Sequence, residues 1–151
     1  MQRFQCGKKV LLAGFVILSS TQALAETEAK LNEPLALQKI MRDIGANMQN
    51  IVGAISREDW PQVEKSARLI ADHPKPPLSE RGRIAGFFKA DMAQFKNYDG
   101  QTHKAASLLA ETAASKDGKT VISNFATLQN TCLACHQKFR ERFQQHFYGQ
   151  H

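Results

Sequence analysis

The chain is short of cysteine. Its 151 residues include three, Cys6, Cys132 and Cys135, and a single tryptophan. So few thiols exclude the disulfide framework of a small secreted domain. One close pair also cannot complete a four-cysteine zinc site. Long apolar runs are scarce. The stretch Val10–Leu18 has nine residues, against about 20 needed to cross a bilayer. No segment alternates apolar and polar residues as a half-buried strand does. No cluster of basic residues is interleaved with aromatics, so the net charge of +6 does not point to nucleic acid. There is no Ser/His/Asp set and no carboxylate pair beside an extra histidine, so nothing in the pattern marks an enzyme. Internal repeats and low-complexity tracts are absent too.

What is present begins with an export signal at residues 1–25. Arg3, Lys8 and Lys9 form a basic start, Val10–Leu18 is the apolar centre, and Ala23-Leu24-Ala25 is an A-x-A cleavage site. Cys6 precedes the apolar run, is not placed as a lipoprotein cysteine, and leaves with the signal. Cleavage removes three of 20 basic residues and none of 14 acidic ones, leaving 17 minus 14, or +3. The mature part, 26–151, has the length of one domain. It is expected in the periplasm, free of the membrane once the signal is cut.

The mature pattern is helical throughout. A first helix is expected over about 33–55, with Asn32 as N-cap and Pro34 in its first turn. Leu37, Met41, Ile44, Met48, Ile51 and Ile55 recur at steps of four and three, an a/d seam. A second helix is expected over 59–72, with Pro61 near its start. Three prolines in 73–77 then forbid a helix. A third element is expected from Ser79 or Glu80 to Ser115, kinked at the turn-like Asn97-Tyr98-Asp99-Gly100. Gly118 is expected as the residue just past a helix end. The last helix, over 119–147, carries the stripe Val121, Phe125, Leu128, Cys132, Cys135, Phe139 and Phe143. Four amphipathic helices on short loops predict an all-α, antiparallel four-helix bundle.

Cys132-Leu133-Ala134-Cys135-His136 is the most informative stretch. It reads C-x-x-C-H, the attachment pattern of a c-type haem. Two thiols at this spacing can add to the two haem vinyl groups, and the adjacent histidine can offer a nitrogen to iron. A dithiol redox pair, a metal site or a plain disulfide are the other readings. Export and the placement of both cysteines on the apolar stripe favour haem.

The stretch CLACHQKFR at 132–140, in the last helix of an exported four-helix chain, resembles the cytochrome c′ family. The first-helix segment LQKIMRDIGANM at 37–48 is similar as well. The resemblance implies one covalent haem c per chain, with its iron held by His136. It implies that the first helix faces the other side of the iron, and Met41 stands at that position. A methionine there occurs in low-spin electron-transfer relatives. Arg140 matches the basic residue that lines the family's haem pocket, while Leu37 stands where the family often has an arginine. Packing as a homodimer through the early helices is also implied.

The residues thus predict a non-enzymatic periplasmic electron carrier served by redox partner proteins. The alternative is a five-coordinate binder of nitric oxide or carbon monoxide, should Met41 only pack. A haem peroxidase would want a distal acid–base group, and none can be named. Met48 and Met92 are expected in the core. His73, His103, His146 and His151 are expected as loop or surface residues, and Lys138 on a solvated face. Phe87, Phe88, Phe95, Phe125 and Phe139 would wall a haem pocket or fill any bundle core.

Overall fold

The structure is a computed structural model that describes residues 34–149. The expected signal, the cap Asn32 and His151 lie outside the described residues. The described chain forms α1 (Ala36–Ser56), α2 (Trp60–Ala71), α3 (Leu78–Phe88), a 3₁₀ turn (Lys89–Asp91), α4 (Met92–Ala114) and α5 (Gly118–Tyr148). No strand occurs among the described residues. The four bundle helices are α1, α2, α4 and α5. The short α3 packs its Phe88 on Phe139 and Phe143 of α5.

Local chemistry places most helix ends where the residues dictate. Asp59 caps α2 by accepting from the Gln62 amide at 3.2 Å, with Pro61 in the first turn. Asp117 caps α5 in the same way through Thr120. The proline segment 73–77 carries no helix. Three expectations are corrected. First, α1 begins at Ala36, after Pro34 rather than through it. Leu35 is extended and buried, and Glu80 of α3 accepts from the free Ala36 amide at 2.8 Å. A cap from another element thus sets this end.

Second, Asn97–Gly100 lies within a continuous helix, and the break is at Lys89–Asp91. There Lys89 takes φ 46°, a left-handed conformation. The weak local propensity of Asn97, Asp99 and Gly100 is overridden by tertiary contacts of Tyr98 and Asp99. Third, the left-handed residue before α5 is Lys116, at φ 59°, not Gly118. Gly118 opens α5, where an added Cβ would come within 3.1 Å of the Trp60 ring.

The core has two parts. One joins Ile40, Ile44, Ile51 and Ala54 of α1 to Val63, Ala67 and Ile70 of α2, Leu109 of α4, and Val121 and Leu128 of α5. The other is aromatic, with Phe88 and Phe139 buried among Phe87, Phe95, Phe143 and Phe147. Each fully buried Ile or Leu contributes about 1.5–3 kcal/mol of transfer free energy. Cys132 packs on the first part and Cys135 on the second, so the pair bridges them.

The α1 seam is offset from its expected register. Ile40 and Ala54 are buried with Ile44 and Ile51, while Met41 is 39% exposed. The helix therefore carries two apolar faces. One packs on α2, and the other, with Met41 and Met48, faces an opening. Close packing joins α1 to α2, α2 to α4 and α4 to α5. The pair α1 and α5 is not among these close contacts, and a slot lies between them.

Candidate haem site

Two adjoining cavities fill this slot. The first, about 390 Å³, is lined by Leu37, Gln38, Met41 and Arg42 of α1 and by Cys135, His136, Phe139, Arg140, Phe143 and Gln144 of α5. The second, about 280 Å³, is lined by Met41, Ile44, Gly45 and Met48 of α1 and by Gln129, Cys132, Leu133, Cys135 and His136 of α5. His73, Asp99 and Thr102 close its inner side. Met41, Phe95, Cys135 and His136 border both. Mostly apolar walls with a few polar groups at one end suit a large flat ligand.

The five residues singled out in the sequence therefore meet. Helical spacing alone puts Cys132, Cys135, His136 and Arg140 on one stretch of α5. The fold adds Met41 from across the slot. The expected core places of Met48 and Met92 hold in part, since each is partly buried against a core cluster. The exposed His146 lies tilted against Phe87 and edge-on to Phe147, away from both cavities.

The electrostatics fit haem attachment better than dithiol redox work. Burial raises the Cys132 thiol above its ordinary value. Burial, then the charges of Asp99 and Cys132, push Cys135 up to about 11. A redox dithiol needs a depressed thiol instead. Burial and then Arg140 lower the His136 imidazole below its ordinary 6.5, so it is neutral at pH 7 with a lone pair to give.

The residues also fit the haem's acidic edge. Gln38, Arg42, Arg140 and Gln144 gather around the first cavity. Tyr148 lines it too, and its buried hydroxyl has no hydrogen-bond partner among the described residues. Two carboxylates such as haem propionates would satisfy these donors. Arg42 and Tyr148 carried no signal in the sequence, because only the pairing of α1 with α5 brings them to Arg140.

His73 and His103 are the main departure from expectation. Neither is a free surface histidine, for their side chains are 10% and 33% exposed. They stack at 4.5 Å between ring centroids. Their Nε2 atoms lie 3.6 and 3.5 Å from the two Asp99 oxygens. The Asp99 contact, opposed by burial, raises the His73 ring above 6.5. In turn His73, then His103, hold the Asp99 carboxyl below its ordinary value. A histidine in a proline-rich loop gives no sign of such company.

No helix among the described residues is long and apolar enough to cross a membrane. No curated protein and no solved structure shows significant similarity to the chain. Residues 87–140 match the family described as Cytochrome C'. That span takes in Cys132, Cys135, His136 and Arg140 and leaves Met41 and His73 outside. The likeness read from CLACHQKFR is thereby borne out over residues 87–140, which are similar to the cytochrome c′ family.

Proposed function

We propose that the chain is an exported cytochrome that holds one haem in the slot between α1 and α5 and passes electrons to and from redox partner proteins. The observation that carries this reading is the pair of cavities that Met41 and His136 share across the slot. When bound, the haem supplies a one-electron couple. The chain's own residues do the rest. Cys132 and Cys135 would hold it as thioethers, one at each part of the core. His136, neutral at pH 7, offers its ring nitrogen to the iron from α5. Met41 would offer its thioether from α1, and methionine ligation would raise the potential relative to two histidines. Arg42, Arg140 and Tyr148 would meet the propionates, and Phe95 and Phe139 would keep water from the bound group.

A second reading has one observation in its favour. Met41 is 39% exposed and borders open space on both sides, so packing does not lock it in place. Without its thioether the iron would keep an open position beside the apolar residues of α1, where nitric oxide or carbon monoxide could bind. The visible spectrum of the purified protein decides between the two. A low-spin ferric form with a weak band near the red edge supports electron transfer. A high-spin form that takes up carbon monoxide freely when reduced overturns it in favour of gas binding.

A further inference from the structure

We infer that His73, Asp99 and His103 form a binding site for a divalent transition metal such as zinc, separate from the haem iron. One potential ligand atom from each residue lies within 4.8 Å of the other two. Zinc bonds of about 2.0–2.2 Å to nitrogen and oxygen put tetrahedral neighbours about 3.3–3.6 Å apart. The two nitrogen–oxygen separations, 3.6 and 3.5 Å, already match that edge. They are too long to be good hydrogen bonds.

The tautomers point the same way. His73 Nδ1 lies 3.0 Å from the Ile70 carbonyl oxygen, and His103 Nδ1 meets the Ala71 carbonyl oxygen. Each Nδ1–H therefore donates to a backbone carbonyl, the usual second shell of a metal-binding histidine. With Nδ1–H so engaged, the neutral form of each ring would aim its Nε2 lone pair at a carboxylate, acceptor against acceptor. One proton relieves one of these contacts. A divalent cation relieves both. The rings, now 11° from parallel, splay about their anchored Nδ1 bonds to bring the lone pairs onto one ion.

The donor set selects the ion. Two imidazoles and one carboxylate suit zinc, copper or nickel, whereas calcium and magnesium want more oxygens. Asp99 and His103 are 43% and 33% exposed, which leaves water to complete the shell and a path for entry. The site ties the linker after α2 to the middle of α4. It stands whether or not Met41 ligates the iron.

The test is a calorimetric titration of the full haem-loaded chain with zinc chloride at neutral pH, after chelator treatment. Wild type should bind one zinc per chain at this site and gain thermal stability, because the ion binds only the folded form. Asp99→Asn, nearly isosteric, and His103→Ala should each bind more weakly by well over about 100-fold, or not at all, beyond the usual loss from a second-shell change. His146→Ala should bind as wild type does. No zinc uptake by wild type overturns the proposal and leaves the cluster as a cap on the end of α2. Uptake that survives in both Asp99→Asn and His103→Ala overturns it too, since zinc would then sit elsewhere, for instance on unreacted Cys132, Cys135 and His136.

Discussion

At the scale of single residues, function turns on side chains that packing leaves free. Met41 is half-exposed on α1, so it supports little of the unloaded fold. Met41→Ala should leave helix content nearly unchanged. It should convert a low-spin haem to high-spin and speed carbon monoxide binding, as followed in the visible spectrum. Asp117 is the opposite kind of residue, structural and far from the slot. The Thr120 hydroxyl, then its amide, hold the Asp117 carboxyl below its ordinary 3.8. A lowered carboxyl contributes stability that is present above the unfolded value and lost as pH falls through the folded one. Asp117→Ala should therefore lower the thermal midpoint at pH 7. The gap to wild type should narrow below pH 3.8, in thermal melts across that range.

At the scale of elements, α1 shows how one helix serves two partners. Its Ile40, Ile44, Ile51 and Ala54 face packs on α2 and the core. Its Met41 and Met48 face borders the slot. Cutting the first face should cost fold, and cutting the second should cost ligand. Ile51 is fully buried, so Ile51→Ala should destabilise by about 2–5 kcal/mol, from lost transfer energy and a residual cavity. Denaturant melts that show under 1 kcal/mol would mean that α1 is loosely held. The break at Lys89–Asp91 matters at this scale too. It turns α3 so that Phe87 and Phe88 reach the aromatic residues of α5.

At the scale of the whole molecule, the bundle is incomplete along one edge. Where α1 and α5 do not close on each other, Met41 and Leu133 border the slot with exposed apolar side chains. A covalent haem would cover both and join the two parts of the core through Cys132 and Cys135. The double variant Cys132→Ala/Cys135→Ala should show no haem stain on a denaturing gel. It should keep most of its helical circular dichroism yet melt at a lower temperature. Retained stain would exclude the thioether assignment, and an unchanged midpoint would mean that the slot adds nothing to stability.

The residues alone determined the helical class, the number of bundle helices, the proline break and the haem-attachment pattern on α5. Each of these is written in local spacing. Period 3.6 places Cys132 and Cys135 on the stripe of Leu128 and Phe139, and proline forbids helix wherever it falls. Local spacing cannot say which side of α1 meets α5, because a helix with two apolar faces satisfies the same seam in either orientation. Only the packing of α1 on α2 turned Met41 outward to the slot and brought Arg42 and Tyr148 to Arg140. The same holds for His73, Asp99 and His103. A loop residue and a helical turn 26 positions further on become neighbours only because α2 ends against the middle of α4. The tertiary structure decided that meeting by making the Ile70 and Ala71 carbonyls, in the last turn of α2, the anchors for both imidazoles.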